Sequence, residues 1–521
     1  ILSSVPIYSQ HTTRESLGSN GIQANSLSFY PCISANGRYV AFTSAATNLV
    51  RGDTNGEADI FVHDSLSGLT QIVSVASGGA QSNGYSSNPR LSADGRYVAF
   101  LSYASNLVPG DTNGDQDIFV HDREYEITTR VSVSSSGVQG NKSSGSGTNW
   151  DGLSISADGG HVAFESIATN LVPGDTNGGW DVFVHDRASR QTSRVSVSSS
   201  GAQVSHGSQS PSISAGGRWI AFVSVASDLV PGDTNGELDV FVHDRQSGQT
   251  TRVSIDSGGV EGNGFSRQPS ISADGCCIAF ESFASNLVSG DTNGMTDVFL
   301  HDFPSGRTER VSVDSTGGQG HGPSGSPQIS ADGSCVVFAS AASNLVPGDT
   351  NGSPDSFVYD RPTALTTRVS VSSDGVEANY GSSDAEISAD GRYVAFGSFS
   401  SSLVLGDTNH TMDVFVRDRN DIAPLLTVQS ICPGWVIIEV AGATPRGRVV
   451  IAYGVAGSFT VTTSPCAGLM LGLANPTIGA VMRASWRGGI TRTYSAPSQM
   501  CGLTLQAVDV RSCLKSNTVV L

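Results

Sequence analysis

Short apolar runs of four to seven residues, such as Tyr97-Val98-Ala99-Phe100-Leu101 and Trp219-Ile220-Ala221-Phe222-Val223, recur along most of the chain, bounded by Asp-Gly, Pro-Gly and Asn-Gly. This is the punctuation of short antiparallel strands. The runs fall into a block written seven times. Each copy reads like Pro89-Arg90-Leu91-Ser92-Ala93-Asp94-Gly95-Arg96-Tyr97-Val98-Ala99-Phe100, then a Pro-Gly-Asp-Thr-Asn-Gly loop, then Asp117-Ile118-Phe119-Val120-His121-Asp122 and Thr128-Thr129-Arg130-Val131-Ser132-Val133. The leading loop aspartates Asp53, Asp111, Asp175, Asp233, Asp291, Asp349 and Asp407 lie 58 residues apart in five of six intervals and 64 apart between Asp111 and Asp175. The six extra residues fall in the polar stretch from Asn141 to Gly152, where a loop lengthens at little entropic cost.

Four strands per copy, unable to bury both faces alone, predict a blade of a β-propeller. The seventh copy ends after its third strand. Thr12-Thr13-Arg14-Glu15-Ser16-Leu17 matches the missing fourth, so the N-terminus is expected to close blade 7 and remove an exposed sheet edge. The expected fold is all-β: an N-terminal extension (1–11), a seven-bladed propeller of four-stranded blades (12–421), and a small C-terminal Ig-like β-sandwich (422–521). In that last part the repeat is lost and apolar runs alternate with Gly and Pro.

The repeat Ile-Ser-Ala-Asp-Gly-Arg-Tyr-Val-Ala-Phe followed by Asp-Val-Phe-Val-His-Asp resembles the TolB-type, WD40-like propeller repeat of bacterial proteins. The resemblance covers roughly residues 10 to 420 and implies the fold but no single activity. Phrases such as Cys432-Pro433-Gly434 and Pro465-Cys466-Ala467-Gly468 resemble a C-terminal module of secreted bacterial proteins, which implies no activity either.

Composition then narrows the setting. A net charge of -18 over 521 residues, with no basic stripe, excludes nucleic acid as a partner. No apolar stretch is long enough for a membrane-spanning helix. Cys432, Cys466, Cys501 and Cys513 are an even set in one small domain, so two disulfides and an oxidising compartment are expected, with three pairings open. The chain starts at Ile1, read as a processed secreted form or a fragment. An extracellular or cell-surface location follows as the expectation.

The Asp-Thr-Asn-Gly-x-x-Asp loop is the strongest candidate for chemistry. Its oxygen donors are Asp53, Asn55 and Asp59; Asp111, Asn113 and Asp117; Asp175, Asn177 and Asp181; Asp233, Asn235 and Asp239; Asp291, Asn293 and Asp297; Asp349, Asn351 and Asp355; and Asp407, Asn409 and Asp413. Hard oxygen ligands around a sharp glycine turn suit calcium. Asx-turns need the same residues with no metal. Strand order places these loops on one face with Gln23, Gln81, Gln139, Gln203, Glu261, Gln319 and Glu377. His63, His121, His185, His243 and His301 repeat at one position, read as satisfied edge residues rather than ligands.

No Gly-x-Ser-x-Gly, His-Glu-x-x-His, phosphate loop or Cys-x-x-Cys occurs. Sevenfold repetition also argues against one asymmetric catalytic set. The expected function is therefore non-enzymatic: an extracellular structural or adhesive component, self-assembling or contacting other surface proteins or glycans. The alternatives are a glycan- or peptide-binding propeller, with Trp150 and Trp180 as candidate contacts, and, more distantly, a hydrolase.

Overall fold

In each blade the second and third strands are apolar on both faces, so they must be covered on both sides, and the only cover available is the next blade. The computed structural model describes residues 11–145 and 152–419, together with the backbone of strands between 425 and 520. Its first compact unit, Thr12–Arg417, is a seven-bladed β-propeller. Blade 1 is the antiparallel meander Ser28–Ile33, Tyr39–Ser44, Asp59–Asp64 and Leu69–Ile72. Blade 7 pairs Ser382–Ile387, Tyr393–Ser398 and Asp413–Asp418 with the N-terminal strand His11–Arg14, as the truncated seventh repeat predicts. The Glu15 amide donates to the Val414 carbonyl at 2.8 Å just beyond that strand.

The hydrophobic clusters lie between blades. Ala41, Ile60 and Val62 of blade 1 pack with Val98, Phe100 and Phe119 of blade 2. The last cluster joins Val40, Phe42 and Phe61 of blade 1 to Ala395, Val414 and Val416 of blade 7. Within each blade one Phe pair, Phe42 and Phe61 in blade 1, stacks across the second and third strands at 6.1 Å. The Asp-Gly turns lock neighbouring blades on one side of the ring. Gly95 has φ 74°, and a Cβ there would sit 2.3 Å from the Tyr39 ring of the preceding blade. Arg38 and Arg123 stack over that ring at 4.7 and 4.6 Å.

The innermost strand carries a two-for-one bulge. Residues Tyr30, Asn88, Ser210, Gln268, Ser326 and Asp384 occupy it with φ of 50–55°. Blade 3 differs: the Gly145 amide donates to the Glu165 carbonyl and the Glu165 amide to the Gly152 carbonyl, so both ends of the longer stretch are held by Glu165 of the second strand, within the Asn141 to Gly152 segment where the repeat spacing places the extra residues.

The second unit contains strands Leu425–Ser430, Gly434–Ala441 and Ile490–Ala496 in one antiparallel sheet. Arg448–Thr460, Met470–Arg483, Thr504–Asp509 and Leu514–Val520 form another. The four cysteines expected to form disulfides, Cys432, Cys466, Cys501 and Cys513, lie outside the described residues, as do Trp150 and the segment Ile1 to Tyr8.

Candidate functional site

The Asp-Thr-Asn loop enters the third strand of its blade, and the Gly-x-Gln/Glu segment follows the fourth strand. Antiparallel order brings both to one face, and there they join. In blade 2 the Asp117 carboxylate is fully buried. Its Oδ1 accepts from Ser132 Oγ at 2.5 Å, and its Oδ2 from Asn113 Nδ2 and Arg130 Nη1, both at 3.2 Å. Gln139 Nε2 donates to Asp111 Oδ1 at 3.0 Å and to Asp117 Oδ2 at 3.4 Å. Asn113 Oδ1 accepts the Asp115 amide, the Asx-turn the sequence admits.

Arg130 is the member that sequence reasoning left without a role. Its Nη1 stands 3.3 Å from Asp111 Oδ1 and 3.2 Å from Asp117 Oδ2, in the place where a bound cation was expected. The arrangement recurs with Arg194 between Asp175 and Asp181, Arg252 between Asp233 and Asp239, and Arg310 between Asp291 and Asp297. Arg368 lies between Asp349 and Asp355, and the N-terminal strand supplies Arg14 to Asp407 and Asp413. The signal was present: one arginine at the end of the fourth strand in six copies, and Ile72 in the seventh. In blade 1, Asp53 and Asp59 therefore share only amide and hydroxyl donors, with Gln81 Nε2 at 2.7 and 3.0 Å and Asn55 Nδ2 at 2.8 Å from Asp59.

The seventh loop, with His410 in the glycine position, forms like the others. His410 accepts the left-handed conformation (φ 57°), and Asn409 Nδ2 reaches Asp413 at 3.1 Å. The third loop keeps Gln203 on Asp175 and Asp181, while Asn177 Nδ2 bonds to the Val204 carbonyl. Half-buried Trp180, beside it, packs its backbone and Cβ against Gly207.

Electrostatics follow from burial against a limited supply of cation. Burial pushes the carboxyls of Asp117, Asp181 and Asp355 above the usual range, with Ser and Arg partners pulling the other way. Blades 4 and 6 carry Glu261 and Glu377 where the others have Gln. Their Asp233–Asp239–Glu261 and Asp349–Asp355–Glu377 oxygens lie within 4.8 Å of one another. Each triad surrounds its arginine: Arg252 Nη1 is 2.5 Å from Glu261, and Arg368 Nη1 is 2.6 Å from Glu377. Three carboxylates to one guanidinium leave Asp233 raised to about 6, by burial first and Asp239 second. For Glu377, burial is outweighed by Thr350 and Arg368, which hold it at about 2.

The repeated histidines are buried rather than at a surface. Nδ1 of His121 meets Thr128 Oγ1 at 2.9 Å, and that hydroxyl also bonds to the Val75 carbonyl of the preceding blade. The hydroxyl proton is committed to the carbonyl, so the ring donates from Nδ1, and Nε2 of His121 is buried with no hydrogen-bond partner, which disfavours a second proton there. The same relay runs through His63, His185, His243 and His301. In blade 7 Arg417 replaces it and donates to Thr12 Oγ1 and the Ser372 carbonyl, both at 2.8 Å. Cys32, Cys276, Cys277 and Cys335 are free thiols.

On the axis, Tyr30, Asn88, Arg90, Gln268, Gln328 and Glu386 line a cavity of about 40 Å³, crossed by an Arg90–Glu386 pair at 3.7 Å. That is room for a few waters, well under the ~300 Å³ of an ordinary ligand pocket.

The fold and these loops define a seven-bladed propeller with an acidic face on which six of the seven carboxylate loops hold an arginine. No family model matches the chain, and no curated protein matches it. Among solved structures it is similar to TolB from Acinetobacter baumannii (16% identity, TM-score 0.36, 64% of each chain covered), so it spans under two thirds of that protein's length. It is also similar to an oligogalacturonate lyase in complex with manganese (12% identity, TM-score 0.46, 80% of this chain and 96% of that one). A prolyl endopeptidase structure aligns at 12% identity and TM-score 0.46, over 83% of this chain and 56% of that one.

Proposed function

We propose that the protein is a non-enzymatic extracellular β-propeller that serves as a rigid structural or adhesive scaffold. One observation carries this reading: the acidic and amide side chains that repetition gathers on one face are bonded to one another and, in six blades, to an arginine. Groups so engaged hold shape, and each blade repeats the same chemistry instead of dividing roles among acid, base and nucleophile. The disulfides expected in the C-terminal unit support an oxidising setting. The test is light scattering and negative-stain imaging of the full chain. Ordered assemblies, or retention on a cell surface, support the scaffold; turnover of a peptide or polysaccharide substrate contradicts it. A second reading, a glycan-binding propeller, is favoured by half-exposed aromatic residues at the mouth of the channel.

A further inference from the structure

Two positions in every blade flank its two inner strands at the Asp-Thr-Asn face. One precedes the first strand and the other follows the second, and in blades 1, 2, 3, 5 and 6 they are joined by a backbone hydrogen bond, as from the Tyr103 amide to the Tyr85 carbonyl at 3.0 Å and from the Phe283 amide to the Phe265 carbonyl at 2.9 Å. Because the first strands line the axial cavity, these positions form a collar around the channel mouth, inboard of the carboxylate loops. None of the collar positions holds Asp, Glu, Lys or Arg, in a chain of net charge -18. Tyr103, Phe283 and Phe399 are 51%, 48% and 51% exposed, and Tyr380 beside Phe399's blade is 57% exposed. Phe265 and Phe283 stack nearly parallel, 9° apart with centroids at 5.7 Å, and Arg267 covers the other ring of that pair, Phe265, at 5.1 Å.

We propose that this collar is a binding site for an uncharged polysaccharide, with the aromatic residues of blades 2, 5 and 7 as stacking platforms. The proposal rests on the scaffold reading and names the ligand through which such a scaffold adheres. Sugar rings present flat C–H faces that match exposed aromatic faces held rigidly by a sheet. No collar position is itself charged, although Arg267 lies on Phe265 and Asp115 accepts from Ser143, and a chain of net charge -18 repels an anionic polymer, so a neutral one fits better. An apolar protein segment would call for a continuous apolar patch. Here the aromatic residues of blades 2, 5 and 7 are separated by Ser143 and Ile167, Gly207 and Val225, and Pro323 and Ala341 of the blades between them, with Val225 38% exposed.

The test is native affinity electrophoresis of the full chain through gels containing dextran, mannan or hydroxyethylcellulose, with polygalacturonate as the anionic comparison. The expected result is retardation by at least one uncharged polymer. A Tyr103→Ser, Phe283→Ser, Phe399→Ser triple variant is expected to lose at least tenfold in affinity. Tyr125→Ser, at a 65% exposed residue in the turn between third and fourth strands, is expected to bind as the parent does. The proposal is overturned by no retardation in any uncharged gel, by retardation that survives the triple variant, by equal loss in Tyr125→Ser, or by stronger binding to polygalacturonate. All the substituted side chains are at least 48% exposed, and circular dichroism of the variants separates a lost site from a lost fold. A fall in polymer viscosity overturns the non-catalytic reading instead, whereas absent binding by a chain that still assembles or adheres defeats the collar alone.

Discussion

At the scale of single residues, the buried histidines show how a repeated polar side chain is absorbed by packing. His121 and His185 are pushed down to about 4, chiefly by burial, and the neutral ring is the form that fits the Thr-to-carbonyl relay. A folded-state value below the ordinary 6.5 means that the unfolded chain binds more protons between pH 6.5 and 4. His121 and His185 therefore each contribute stability that is complete above about pH 6.5 and is lost as pH falls toward 4. Asp233, raised to about 6, acts in the opposite sense: its contribution is greatest below about pH 4 and is lost as pH rises through 6. The two overlap, so a melting curve mixes them. The clean measurement is the imidazole C–H chemical shift of His121 followed by NMR, which is expected to stay constant from pH 8 to 5 and move near 4. The recurrence of these histidines was legible in the sequence. Their burial was not, because a His followed by Asp and a turn reads as an edge; the hairpin of its own blade sets Thr128 opposite His121, and only the ring brings up Val75 of the preceding blade.

At the scale of the element, the unit is the carboxylate loop with its arginine. Asp297 is fully buried, and Arg310 is the cation that stands between it and Asp291. Arg310→Leu leaves two carboxylates with only amide and hydroxyl donors, and chemical denaturation is expected to show a loss of about 3–5 kcal/mol at neutral pH. Blade 1 offers the reverse experiment. Ile72→Arg installs the side chain that six other blades carry, with an expected gain of about 0.5–2 kcal/mol. A change of the opposite sign in either variant would show that the guanidinium is not what balances these loops. The Asp-Thr-Asn spacing was readable as a turn and as a set of hard oxygen donors, and strand order placed the glutamines on the same face. What spacing along the chain conceals is the partner: Arg130 is 13 residues beyond Asp117 and Arg14 belongs to the other end of the chain, so the neutralising charge appears only when the blade is folded and the ring closed.

At the scale of the whole molecule, closure decides stability. The outer edge of strand Asp413–Asp418 is paired with His11–Arg14, and Ser16 and Arg14 also complete the seventh carboxylate loop, Ser16 Oγ bonding to Asp413 Oδ1 at 2.5 Å. A chain lacking residues 1–17 exposes that edge and leaves Asp407 and Asp413 unbalanced, so light scattering is expected to show association at concentrations where the full chain is a single species. The number of blades and the three-plus-one closure were legible because seven copies and one misplaced strand can be counted. The bulges of the innermost strand were not, since Tyr30, Asn88 and Gln268 have no common side chain and share only a backbone twist. The account's central claim is that this acidic ring is held by its own arginines. The direct test is the thermal melt of the full chain in excess calcium and then in excess chelator. The account predicts the same midpoint in both; a midpoint that falls by several degrees on chelation would contradict it.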